Sequence, residues 1–292
     1  MRRRVTILML ILVCFAFGVA TGHYRTFPFN QLKNTKAYFS TKVFEVKYNS
    51  LADCSVPEIK NLPNNFSIIV GHAYGAHRNA TLESFISSNL DIFLRDYGDK
   101  INAAIFTGDV FSIPSTTKWN QLFDRLDGIE VHIAPGNHDV LRPDSREAFV
   151  RSNAFYSELP YTINIGNYRI VIDDSIVSKW NVGKKTIWEV NNEVGEVIVA
   201  RHNVPIAELS RLSNGQPGPS NLKNVNDFKI LFNEDKMITW IIGDGGAFPN
   251  LPRISCKKYL NHRFIINGLG DLEDDKILIL KSENIYQYRL KK

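Results

Sequence analysis

Five short polar clusters in this sequence combine a glycine or proline with side chains that bind cations or move protons. They are Gly71-His72-Ala73-Tyr74-Gly75, Gly108-Asp109, Gly136-Asn137-His138-Asp139, Arg201-His202-Asn203-Val204-Pro205 and Gly243-Asp244-Gly245-Gly246. Carboxylate, amide and imidazole groups together suit a divalent ion such as manganese, iron or zinc. Glycine beside them lets the backbone turn sharply and approach a ligand closely. Taken singly, Gly-Asp and Gly-Asp-Gly-Gly read as turns, and a histidine near proline reads as a packed, hydrogen-bonded residue. Gly-Asn-His-Asp behind Pro135 is more specific, because a plain turn has no need of His138. No Gly-x-Ser-x-Gly occurs, which argues against a serine esterase.

Each cluster follows an apolar run rich in β-branched residues: Phe66–Val70, Ala103–Phe106, Val131–Ala134, Val194–Ala200 and Met237–Ile242. Helical spacing over Leu82–Tyr97 and Trp119–Leu126 separates the first three runs. Strands alternating with helices imply parallel pairing through right-handed crossovers. Ligands in such sheets bind beyond the carboxyl ends of the strands, where all five clusters fall. After Pro160, Tyr161–Ile165 and Tyr168–Ile172 flank Gly166-Asn167, a hairpin signal. Further strands fit Arg263–Ile266, Ile277–Leu280 and Ile285–Leu290. The expected fold class is α/β, with two packed mixed sheets flanked by helices.

The start of the chain has a different character. Arg2, Arg3 and Arg4 precede an apolar run from Val5 to Ala20, the layout of a secretory signal. Residues 1–22 are expected to export the chain. The segment is either cleaved after Ala20 or kept as a membrane anchor through residues 5–20, with the arginines on the cytoplasmic side. The body is then periplasmic or extracellular. Residues 23–65 read as a lead-in with one strand at Val43–Val46, and 66–292 as the domain. Net charge is +5, but without the three signal arginines 32 basic residues face 30 acidic ones. A near-neutral body without a basic stripe gives no reason to expect a stable nucleic-acid partner. Cys54 and Cys256 either pair, as an oxidising compartment allows, or stay separate buried thiols.

In their order, the five clusters resemble the calcineurin-like metallophosphoesterase superfamily over roughly residues 66–290. That family carries Asp-x-His, Gly-Asp, Gly-Asn-His-Asp/Glu, a lone His and Gly-His-x-His, each after a strand. The resemblance implies an αββα sandwich and metal-dependent hydrolysis of a phosphate monoester or diester, with metal-activated hydroxide attacking phosphorus in line. It implies metal ligation by Asp109, Asn137, His202 and Asp244. It gives His138 the protonation of the leaving oxygen, with Asp139 holding its imidazole. Arg201 is expected either to hold a phosphate oxygen or to be an ordinary surface arginine, and Tyr74 to contact substrate. The substrate is expected to be a small-molecule or envelope-derived phosphate ester.

The chain departs from the family at the first and last motifs. His72-Ala73-Tyr74 stands for Asp-x-His, and Gly243-Asp244-Gly245-Gly246 for Gly-His-x-His. Gly246 offers no side chain, and a neutral tyrosine is a reluctant ligand. One tightly held divalent ion is therefore expected. His72 would be a weak second ligand or a phosphate partner, with its imidazolium replacing the missing cation. The same departures leave open an alternative, a catalytically impaired binding or accessory protein on this fold.

Overall fold

Strands whose successive residues face two different apolar clusters form the centre of this molecule. The computed structural model describes residues 48–49, 51–75, 83–153, 156–178, 182–205, 236–247, 251–259, 261–271 and 273–290, all within the unit Lys47–Lys292. In chain order the elements are β1 (Ala52–Asp53), β2 (Phe66–Val70), α1 (Ser88–Tyr97), β3 (Ile101–Phe106), α2 (Thr116–Arg125), β4 (Glu130–Ile133), α3 (Asn137–Val140) and α4 (Pro143–Ser152). They continue with β5 (Tyr161–Ile165), β6 (Tyr168–Ile172), α5 (Ser175–Ser178), α6 (Lys184–Asn192), β7 (Val197–Arg201), β8 (Ile238–Ile242), β9 (Ile254–Tyr259), β10 (His262–Asn267), β11 (Lys276–Lys281) and β12 (Asn284–Arg289).

Two mixed sheets result. One runs β1-β9-β10-β8-β7-β6-β5 and the other β12-β11-β2-β3-β4. β2, β3 and β4 are parallel, as are β6, β7, β8 and β10. Ile69, Ile105 and Leu278 face Ile170, Ile198, Ala200 and Ile241 of the other sheet. Their neighbours Ile68, Val70, Ala104, Phe106 and Ile277 face the helices, meeting Leu90, Phe93, Trp119, Leu122 and Phe149. Side chains alternate across a strand, so a strand buried on both faces must be mostly apolar. That is why these runs are nearly continuous in sequence. The expected fold class, two packed mixed sheets flanked by helices, is the one observed.

The boundaries shift where polar signals matter. α2 starts at Thr116, because the Ser115 hydroxyl accepts a hydrogen bond from the Lys118 N–H at 3.3 Å. The apolar face alone placed that start at Trp119. α1 begins at Ser88, later than the expected Leu82, and residues 76–82 lie outside the described set. α4, α6 and β9 were not anticipated. Each mixes charged and apolar residues, as in Ile-Ser-Cys-Lys-Lys-Tyr of β9, and the two helices bury only a narrow face, Ser145, Ala148 and Phe149 in α4 and Thr186, Ile187 and Val190 in α6.

The last part of the expected lead-in is integrated with the domain. β1 pairs antiparallel with β9, and Glu58 bridges to Gln287. Cys54 is disulfide-bonded to Cys256, with Cα atoms 5.1 Å apart. The strand expected at Val43–Val46 and the apolar segment 5–20 lie outside the described residues. Among the described residues no helix is long and apolar enough to cross a membrane.

Candidate metal and phosphate site

The carboxyl ends of β2, β3, β4, β7 and β8 reach the same edge of the sandwich, and the five polar clusters meet there. Main-chain bonds lace the loops together: His72 N–H to Gly108 O (3.1 Å), Gly243 N–H to Arg201 O (2.9 Å) and Asp244 N–H to His202 O (3.1 Å). Gly108, at φ +84°, lies so near Gly136 that a Cβ on it would stand 2.7 Å from the Gly136 Cα. A Cβ on Gly136 would in turn overlap the backbone nitrogen of Asp109. Two loops of different strands can touch only because both residues are glycine.

Three side chains converge on the Nε2 atom of His202. Asn137 Oδ1 lies 3.3 Å from it, Asp109 Oδ2 3.5 Å and Asp244 Oδ1 3.8 Å. His72 approaches Asp109 Oδ2 from another direction, with its Nε2 at 3.8 Å. The other oxygen of Asp109 accepts the His138 N–H at 2.9 Å. His72 and Asp109 both hold positive φ, 51° and 53°. Non-glycine residues rarely adopt that conformation, and it recurs where a backbone is bent to aim a side chain.

The three histidines share one orientation. His72 Nδ1 lies 2.9 Å from Gly75 O, His138 Nδ1 2.8 Å from Ser112 O and His202 Nδ1 3.1 Å from Thr107 O. A carbonyl only accepts, so Nδ1 donates in each case, which leaves Nε2 as the ring nitrogen turned away from the main-chain partner. This is the tautomer a metal ligand requires, and main-chain carbonyls commonly fix it. None of these carbonyl partners was legible as a side-chain motif.

Charge at the site favours a cation. Asp109, Asp139 and Asp244 are buried; among the described residues the ion-pair partners of Asp109 and Asp244 are histidines. Burial pushes the Asp244 carboxyl up to about 7, against the pull of His202. Asp109 sits below its usual range; burial opposes this, but His202, His138 and His72 prevail. His202 is raised despite its burial, because Asp109 and Asp244 favour its charged form. Ligands about 2.1 Å from one tetrahedral ion stand roughly 3.4 Å apart. The 3.3–3.8 Å separations around His202 match that spacing. Among the described residues, however, no group of three His, Cys, Asp or Glu side chains is placed so that it could hold a metal ion. The donor types and spacing fit a divalent ion; a finished set of ligands is not preformed.

Three sequence expectations need correction. Asp139 does not hold the His138 imidazole, which is oriented by the Ser112 carbonyl. Its carboxylate instead accepts the backbone N–H groups of Asp109 (2.8 Å), Val110 (3.1 Å) and Gly136 (2.9 Å), clamping two site loops together. Arg201 neither holds a phosphate nor lies on the surface. It is fully buried, pairs with Asp173 at 3.2 Å and donates from Nε to Asn203 O at 2.8 Å. His72 does not carry the expected imidazolium, because burial lowers it to about 4 against the pull of Asp109. A nearby cation would lower it further. The Tyr74 ring lies 4.3 Å from that of His72 and 5.3 Å from that of His138. Asn267, absent from the expected site, joins the sheets beneath it by donating to Ile69 O at 3.3 Å.

No family model matches this chain, and no curated protein matches it. Among solved structures it is similar to a conserved uncharacterized protein from Streptococcus pneumoniae described as a predicted phosphoesterase. The identity is 10%, the match covers 78% of this chain and 99% of that one, and the TM-score is 0.30.

Proposed function

We propose that this chain is a metal-dependent hydrolase of phosphate esters acting outside the cytoplasm. The observation that carries the proposal is the set of three histidines whose Nδ1 atoms are held by main-chain carbonyls, two of them with Nε2 facing Asp109. Asp109, Asn137, His202 and Asp244 would hold one divalent ion of manganese, iron or zinc, with His72 beside Asp109. Such an ion supplies a Lewis acid that lowers the pKa of water and neutralises charge on phosphoryl oxygens.

The chain's own groups account for the rest. Water adds its oxygen to phosphorus and gives up a proton, and the bond from phosphorus to the leaving oxygen breaks with its electron pair on that oxygen. His138, with Nδ1–H held by Ser112 O, would take up a proton at Nε2 and deliver it to that oxygen, so that the proton given up by water is balanced by the one the leaving group receives. Asp139 keeps the Asp109 and Asn137 loops in register. Arginines Arg2 to Arg4 and the apolar run that follows support export. The Cys54–Cys256 pairing agrees with an oxidising compartment. Substrates would then be small or envelope-derived phosphate esters.

The test is elemental analysis of purified protein together with turnover of bis(p-nitrophenyl) phosphate and p-nitrophenyl phosphate. One equivalent of divalent metal is expected, with activity and metal both lost in Asp109→Asn and His202→Ala. Folded protein that takes up no divalent metal and cleaves neither ester would overturn the proposal. It would favour the accessory-protein reading, for which the open ligand set gives a specific reason.

A further inference from the structure

A buried arginine stands one position before His202, and its partners run from helix α6 to the site edge. Arg201 closes β7, and Asp173 lies just past the end of β6; neither is exposed. β6 and β7 are parallel, so both residues leave their strands at the carboxyl edge where the site lies. The Asp173 N–H continues that pairing by donating to Ala200 O at 2.9 Å. One carboxylate oxygen of Asp173 accepts the Thr186 hydroxyl at 2.6 Å, and the other lies 3.2 Å from Arg201 Nη1. Thr186 is itself buried, on α6, the helix that packs on β5 and β6.

Arg201 then turns back on its own chain. Its Nε donates to Asn203 O at 2.8 Å, two residues ahead. The Asn203 N–H donates to the Ser175 hydroxyl at 2.9 Å. The bend that carries His202 is thus held from both sides. The same bend seats the next candidate ligand. Gly243 N–H donates to Arg201 O at 2.9 Å, and Asp244 N–H to His202 O at 3.1 Å.

Stability alone does not account for a buried guanidinium here. Desolvation offsets most of the attraction in a buried ion pair, and an apolar pair of similar volume often serves as well. An apolar pair cannot hold a carbonyl two residues ahead. The guanidinium is a planar, rigid fork, so fixing Nη1 against Asp173 also fixes where Nε points. Thr186, in turn, fixes the Asp173 carboxylate.

Resting on the phosphoesterase reading, we propose that Thr186, Asp173 and Arg201 are positioning residues, a relay from α6 that sets the bend at His202 and so decides how firmly His202 and Asp244 are offered to a cation.

The experiment uses full-length, metal-free protein carrying nitrogen-15-labelled histidine. Two quantities are read: the ring-nitrogen resonances of His202, assigned by their loss in His202→Ala, and manganese affinity by calorimetric titration. Thr186→Val removes the hydroxyl and keeps the shape of the side chain, whereas Thr186→Ser keeps the hydroxyl. Ile285→Ala opens a cavity under β12, the edge strand of the other sheet, and controls for lost stability. Thr186→Val should displace the His202 resonances and weaken manganese binding by about tenfold, the scale on which partners behind the ligands act. Thr186→Ser and Ile285→Ala should bind as the native protein does. Native resonances and native affinity in Thr186→Val would overturn the relay. So would an equal loss in Thr186→Ser, where the hydroxyl remains, or in Ile285→Ala, where only stability has changed. Arg201→Lys keeps a charge beside Asp173 without the fork to Asn203 O, and it gives the same comparison if Thr186→Val does not fold. If the native protein takes up no manganese, the phosphoesterase reading fails by itself. The His202 resonances still decide the relay: unchanged in Thr186→Val they remove it, and displaced there but not in Ile285→Ala they uphold it.

Discussion

At the scale of single residues, the site depends on side chains aimed by unusual backbone and by buried partners. Asp109 holds φ 53°, which asparagine tolerates better than alanine. Both Asp109→Asn and Asp109→Ala should abolish tight metal binding. The alanine variant should also be less stable than the asparagine variant by about 1–2 kcal/mol, the cost of a left-handed residue with an ordinary Cβ. Equal thermal unfolding of the two metal-free variants would mean that this backbone stores no strain. Arg201 makes a second contrast. Removing one member of its buried pair with Asp173 leaves an uncompensated charge, so Arg201→Ala should lose about 3–5 kcal/mol in denaturant unfolding. A phosphate-holding arginine would instead raise KM and leave stability alone.

At the scale of elements, two features join segments that the sheets alone would leave apart. The Asp139 carboxylate takes three backbone N–H groups from the loops after β3 and β4. Asp139→Asn replaces one acceptor oxygen with a donor that faces those N–H groups. The expected loss is about 2–3 kcal/mol, on the scale of hydrogen bonds to a charged group, with reduced metal affinity because Asp109 and Asn137 lose their register. Stability unchanged in Asp139→Asn would show that the loops are held by other contacts. The Cys54–Cys256 bond closes a loop with a sequence separation of 202. Its removal in Cys54→Ala should cost about 2–5 kcal/mol, read from chemical unfolding under non-reducing conditions.

At the scale of the whole molecule, buried acids and histidines tie stability to pH and metal. Asp139 and Asp244 are raised by burial to about 7, and His202 is raised by its carboxylate neighbours against its burial. Above about pH 4, the ordinary carboxyl value, the folded metal-free protein holds protons on Asp139 and Asp244 that the unfolded chain has released. Stability is then lost as pH rises through these folded values. His72, lowered to about 4, acts in the opposite sense below its ordinary value, one group against two. The Tm of metal-free protein should therefore fall as pH rises from about 4 to 7, where unfolded carboxyls have lost the protons that Asp139 and Asp244 keep, and further as His202 loses its own. Added manganese should raise it more at the upper end, where protons no longer compete for His202 and Asp244. A melting temperature that stays flat with pH and ignores manganese would rule out a cation-binding cluster.

The sequence by itself determined the sandwich and the position of the five clusters. Strands buried on both faces are mostly apolar, as β2, β3, β7 and β8 are with one polar residue each (Ser67, Asn102, Arg201 and Thr239), and residues just past such strands collect at one sheet edge. It did not determine α4, α6 or β9, whose charged residues hide a partial burial that arises only when a neighbouring element covers one side. It named His72, Asp109, Asn137, His138, His202 and Asp244 through side-chain type and motif order, but the roles expected of Arg201, Asp139 and the His72 imidazolium came out differently. An arginine beside a ligand reads the same whether it faces substrate or an aspartate 28 positions earlier; only packing put Asp173 within 3.2 Å of it. The carbonyls of Gly75, Thr107 and Ser112 orient the histidines, and every residue carries a carbonyl. Which three face an imidazole was decided by the tertiary structure, because hydrogen bonding depends on position in space and a backbone acceptor leaves no mark in the amino-acid sequence.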